Sequence, residues 1–237
     1  GDDARDWIVT VYDKLWRPIA AVGDDMMELT GTDPRNAVPS AKLVIKGSST
    51  LVDIFASCKE TMVGVTVETA GLRFAYYVDT FEESYEQGAW TGTVGLKGIW
   101  DVLSYMQIWP MWYFPIQAQP ISHAVYIWGL CTVIESMVAE QALRLQSGLW
   151  EFINNALSLN PDIHAWFGTL LLNQNINICD TLKTPVYVVR TNPIFDTSPF
   201  VARTVRMESC ATVIQDITRA YGVDVRVALW LPGAPQP

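Results

Sequence analysis

A strand pattern fills the first third of the chain, and a helical period replaces it near residue 125. Trp7-Ile8-Val9-Thr10-Val11-Tyr12 is rich in β-branched and aromatic residues, Asp13-Lys14 supplies a turn, and Pro18-Ile19-Ala20-Ala21-Val22 runs to a Gly23-Asp24 break. This pattern predicts a hairpin. Further strands are predicted over 41–45, 63–68, 72–79 and 89–97, each bounded by Gly, Ser or charged turn residues. Segment 73–78 faces 90–96 across a short polar connection, which reads as an antiparallel pair and a compact β-barrel or sandwich.

From 125 to 145 apolar residues recur at helical spacing (Val125, Trp128, Cys131, Val133, Ile134, Met137, Val138), with Glu135, Glu140 and Arg144 left for solvent. This predicts one long helix. Ser147 is placed to cap a second over 149–157, which Asn160-Pro161 ends. The chain then predicts a strand over 186–190, a loop through Pro193 and Pro199, a helix over 208–221 stopped by Gly222, and a strand over 223–229. The class is therefore α+β: an N-terminal β-barrel-like domain over 1–120, a helical insertion over 121–184, and the start of a second α+β barrel-like domain over 185–237.

Composition sharpens this picture. At 237 residues, half hydrophobic and only 17% charged, the chain is built to fold around a large core. Its 10 Trp, 9 Tyr and 8 Phe point to core or to contact between proteins. The net charge of -9 and pI near 4.6 provide no basic field for phosphates, so specific nucleic-acid binding is not expected. The apolar stretch 99–116 contains Asp101 and two prolines, which rules it out as a membrane span. Cys58, Cys131, Cys179 and Cys210 are too scattered for a zinc set and read as buried thiols, which suits assembly in a reducing cytoplasm. The start Gly-Asp-Asp-Ala-Arg-Asp reads as processed or trimmed, and the Pro-rich end as running on into more protein.

Candidate chemistry is sparse. His123 and His164 lie far apart, with no Glu or Cys at metal-ligand spacing. No Gly-x-Ser-x-Gly elbow, phosphate-cradling Gly-Lys-Ser/Thr loop or spaced-glycine dinucleotide pattern occurs. Asp24-Asp25 and Glu82-Glu83-Glu86 form acidic clusters; a carboxylate pair can hydrolyse glycosides, whereas both clusters read here as solvated turns between strands. The aromatic band Trp100, Tyr105, Trp109, Trp112, Tyr113 and Phe114 fits either a sugar platform or a core or subunit interface, and the interface reading is preferred.

The order of segments carries a resemblance. Tyr12-Asp13-Lys14, Ile19-Ala20-Ala21-Val22, the 41–45 strand Ala-Lys-Leu-Val-Ile, Met62-Val63-Gly64-Val65-Thr66-Val67 and the run from Thr93 to Leu103 together resemble the tail hub, or tail-associated, minor tail proteins of long-tailed phages of actinobacteria. The resemblance implies a structural, non-enzymatic virion protein at the tail tip, assembled in the host cytoplasm as a homotrimeric ring. Its implied partners are the distal tail protein, the tape measure protein and other minor tail proteins, with no cofactor. Independently of the resemblance, the acidic balance makes Asp24, Asp25, Glu82, Glu83 and Glu86, in turns at one end of a barrel, the candidates for the wall of that ring's channel, and the aromatic band is expected to be at least half buried in the assembly. Two alternatives stand beside it: a carbohydrate-binding or carbohydrate-active tail protein using Glu82, Glu83 or Glu86, and a cell-surface adhesin.

Overall fold

The computed structural model describes residues 7–114, 116–146, 186–231 and 234. The chain is α+β, with a seven-stranded antiparallel sheet, a separate two-stranded sheet and a few helices. It divides into two compact units: Gly1–Asp101 with Asp224–Pro237, and Val102–Val223. These contacts do not follow the expected divisions at 120 and 184, because strand Ala124–Gly129 pairs with strand Phe200–Val205 inside one unit.

The first unit contains β1 (Ile8–Tyr12), β2 (Pro18–Ala21), β3 (Met26–Thr32), β4 (Ser40–Lys46), helix α1 (Val52–Ala56), β5 (Gly64–Thr69), β6 (Leu72–Glu86) and β7 (Ala89–Gly98). The strand order is β2-β1-β5-β6-β7-β4-β3. The expected first hairpin forms, and Asp13 fixes its turn: its carboxylate accepts from the backbone N–H of Leu15 and Arg17 and from Arg17 Nε at 2.8 Å. Tyr12 and Trp16 close over that turn, and Gly64 must lack a side chain there, since a Cβ would lie 2.6 Å from the Trp16 ring.

Alternation places one set of apolar residues on the core face. Val9, Val11, Val65, Val67, Tyr76, Val78, Val94, Leu96, Leu43 and Ile45 are all buried, and α1 drops Leu51 and Phe55 onto them. Phe55 stacks on Phe81 at 6.2 Å between centroids. The opposite face carries Thr10, Thr66, Tyr77, Thr93, Lys97 and Lys42 together with Ile8, Tyr12 and Val44, and Tyr12 and Thr66 are buried on it. A bulge between Val78 and Thr80 restores the alternation, so β6 continues to Glu86 as the partner of β7.

Three local expectations are corrected. Glu82, Glu83 and Glu86 lie in β6, not in a turn; Ser and Glu favour strands weakly, and the Thr-rich partner β7 overrides that preference. Residues 125–129 form β8 (Ala124–Gly129), and the long helix begins only at Leu130 as α3 (Leu130–Gln146). Segments 186–190 and 223–229 join no ladder, while β9 (Phe200–Val205) occupies part of the segment read as a loop. The helix expected over 149–157 lies outside the described residues.

In the second unit β8 and β9 pair from Ala124↔Val205 to Gly129↔Phe200. A short helix α2 (Val102–Tyr105) leads to an extended stretch in which Ile108 exchanges backbone hydrogen bonds with Met207 and Glu208. Helix α4 (Cys210–Thr218) is capped by Ser209, whose Oγ accepts from Thr212 N. Its Val213, Ile214 and Ile217 are buried, as are Val133, Ile134 and Met137 of α3.

Candidate assembly surfaces

The aromatic band does not form one surface. Trp100 is 5% exposed in the first unit and donates its indole N–H to Val225 O at 3.0 Å, which makes it a core residue. The other five belong to the second unit. Tyr105 stands 69% exposed, while Trp109 is half-buried with the Arg144 guanidinium 4.1 Å above its ring. Trp112, Tyr113 and Phe114 make a run of ring contacts, edge-on at 5.5 Å and tilted at 5.1 Å. Gln119 holds that loop, accepting from Met111 N and donating to the carbonyls of Met111 and Phe114.

Arg144 is itself buried, and desolvation lowers its guanidinium to about 10. It donates to Gln141 Oε1 at 2.9 Å and to the Gln107 carbonyl at 2.8 Å. Close by, Tyr126 donates its hydroxyl to Glu140 at 2.6 Å; burial, opposed by that bond, raises the Glu140 carboxyl. Burial also pushes the Cys210 thiol up to about 12. These groups orient one another inside the helical core, and none presents a nucleophile to solvent.

The acidic residues gather at one end of the sheet. A row of paired positions, Met26–Ile45–Gly92–Glu83, crosses four strands, so Asp24 and Asp25 in the 3-10 turn before β3 lie at the same end as the β6–β7 tip. Their faces differ. Glu82 and Glu86 project with Ser84, Thr91 and Thr93 on the polar face, while Glu83 shares the opposite face with Tyr85. Asp25 is partly withdrawn, accepting from Ser49 Oγ at 2.5 Å. At the tip, Tyr85 and Trp90 pair at 5.3 Å and are both exposed. Their pairing was not legible in the sequence, because Tyr85 falls in the segment expected as a turn.

A groove of about 380 Å³ opens on the core face beside β3. Met26, Leu29 and Gly31 line it from β3, Val67, Phe74 and Tyr76 from the facing wall, and Asp33 contributes a carboxylate whose charge adds to burial in raising the Tyr76 phenol. Another exposed apolar face lies on the β8–β9 ribbon, where Val125, Ile127 and Phe200 alternate outward.

His123 is exposed and bonds Ser122 Oγ through Nδ1 at 2.9 Å; His164 and Cys179 lie outside the described residues. Cys58, Cys131 and Cys210 are free thiols. Among the described residues no group of His, Cys, Asp and Glu is arranged to hold a metal, and no helix is long and apolar enough to cross a membrane. No protein-family model matches the chain, and no curated protein matches it either.

Proposed function

We propose that this chain is a structural protein of a phage tail tip, a subunit of a homotrimeric hub that closes the tail tube and joins it to distal receptor-binding or lytic parts. The observation that carries the reading is the two-faced sheet of the first unit. Its core face is sealed by α1 at one end, its other face mixes Thr and Lys with Ile8, Tyr12 and Val44, and among the described residues its outermost strands β2 and β3 keep unpaired backbone edges beside exposed Ile19 and Met27. Edges of that kind are sites at which chains join, and a monomer ordinarily blunts them. The exposed Tyr105, the Tyr113 loop and the β8–β9 ribbon add apolar area suited to further protein contacts, with the distal tail protein, the tape measure protein and other minor tail proteins as the partners.

This reading assigns no turnover to the chain. The carbohydrate-active alternative requires two carboxyl groups facing one substrate. Glu82 and Glu83 point to opposite faces of β6, and Glu82 and Glu86, four residues apart on one strand at about 3.3 Å per residue, stand roughly 13 Å apart, wider than a hydrolytic carboxylate pair, so both pairings disfavour that alternative. Light scattering of the purified chain and imaging of the assembled tail tip test the proposal together. A mass of three protomers and a threefold ring are expected, with no release of sugar or peptide from cell walls; a sixfold or monomeric arrangement, or reproducible wall hydrolysis, overturns it.

A further inference from the structure

Two unfinished β elements belong to the first unit. One is β3, the last strand of the sheet, whose outer edge pairs with no strand among the described residues and has the apolar groove beside it. The other is the segment 226–231, Arg-Val-Ala-Leu-Trp-Leu. It has the alternation of a strand, with Val227, Leu229 and Leu231 half-buried and Arg226, Ala228 and Trp230 exposed, yet it joins no ladder. Its root is firmly held: Asp224 pairs with Arg35, Val225 N donates to Asn36 Oδ1 at 2.8 Å, and Val225 O accepts from Trp100.

We propose that segment 226–231 of one copy adds as a strand to the β3 edge of a second copy, with Val227, Leu229 and Leu231 filling the groove. Length, polarity and charge agree with this pairing. At about 3.3 Å per residue the six residues of the arm extend roughly 20 Å, close to the reach of β3. One face of the arm is wholly aliphatic, and the groove beside β3 is lined by Met26, Leu29, Val67 and Phe74. Backbone bonds along the edge supply affinity while alternate side chains in the groove supply register. The exposed charges are opposite: Arg226 on the arm, Glu28 and Asp33 at the edge. Because arm and edge are different patches of one surface, the contact is head-to-tail, and its repetition gives a ring where the rotation between copies closes and a filament where it does not. The number of copies in that ring rests on the hub reading; the strand contact does not.

Paired cysteines test the contact in the full chain. Ala228→Cys combined with Thr30→Cys, or with Thr32→Cys to cover a second outward position of the edge, is oxidised and run without reductant. Intermolecular bands that need both cysteines are expected. A link within one chain, identified by mass after proteolysis, overturns the second-copy assignment, and so does the absence of any link with both pairs. In parallel, Val227→Asp is expected to weaken self-association by at least about tenfold, and an unchanged association curve sinks the proposal. The two readings fail separately. A trimer that shows no link keeps the hub and removes the strand contact, whereas linked chains in a ring other than three keep the strand contact and remove the hub.

Discussion

The carboxylate of Asp196 meets the first turn of α3 with both oxygens occupied. Oδ2 accepts from Thr132 N at 3.0 Å and from its hydroxyl, Oδ1 accepts from Ser198 N at 2.9 Å, and Ser198 Oγ in turn accepts from Cys131 N. Helix N-termini leave backbone donors without intrahelical partners, and here a distant loop supplies the acceptors that the local sequence lacks. Desolvation raises the Asp196 carboxyl, but the hydrogen bonds from Ser198 and Thr132 outweigh it and hold it well below the usual carboxylate range. The sign follows. A depressed folded-state pKa gives stability that is fully present above the unfolded value of about 3.9 and lost as pH falls below it. Asp196→Asn is therefore expected to lower stability at neutral pH by about 1 kcal/mol and to flatten the loss of stability below pH about 4, read by thermal melts across pH. Cys210 supplies a second residue-scale prediction. With its thiol buried and raised to about 12, it is expected to resist alkylation at pH 8 in the native protein and to react once the chain is unfolded, which peptide mass spectrometry reads directly.

The β6–β7 hairpin turns through Gln87 and Gly88, both at positive φ (+52° and +84°), the backbone signature of a tight two-residue connection. A Cβ at Gly88 meets no neighbouring atom, so Gly88→Ala is a test of backbone conformation alone and is expected to cost about 1 kcal/mol in chemical denaturation. This hairpin also shows how far the sequence was legible. That the two strands are antiparallel neighbours was readable from the β-branched and aromatic residues of 73–78 and 90–96, but their register was not: Val78 pairs with Leu96, and 90–95 pair with 80–85 rather than with 73–78. The outer half of β6 was not readable as strand, because Glu82, Glu83 and Glu86 imitate a solvated turn, and only pairing with β7 makes them a strand. The boundary of α3 was hidden for a related reason. Val125 and Trp128 fit a helical period continuous with Cys131, and the choice of strand is made by β9, seventy-odd residues later in the chain. As for the surfaces, composition pointed to contact-forming aromatics, but their sorting into core (Trp100) and exposed ring (Tyr105) depends on tertiary neighbours that no local spacing encodes.

For the molecule as a whole, the charge pattern bears on the hub proposal. A ring through which a genome passes has to let through a duplex carrying one negative charge per roughly 1.7 Å, and a wall that binds phosphates would hold it. Repulsion acts only within about 8 Å in physiological salt, so the residues on the wall itself decide the outcome. The polar face of the sheet is of mixed sign. It includes Lys42 and Lys46, while Lys97 is offset by Asp79 at 3.6 Å and Arg73 by Glu68 at 2.5 Å. At the hairpin end Glu82 and Glu86 lie on the polar face with Lys46, whose partner Thr91 pairs with Ser84, and Glu83 lies on the other face. If the polar face forms the channel, the two faces respond differently to charge reversal. Glu82→Lys with Glu86→Lys is expected to give the assembled ring an affinity for duplex DNA that falls linearly in log salt, while Glu83→Lys leaves binding at the unmodified level. Fluorescence anisotropy with a short labelled duplex over a salt series distinguishes them. Equal binding by both variants, or none by either, places the channel wall elsewhere than on this face.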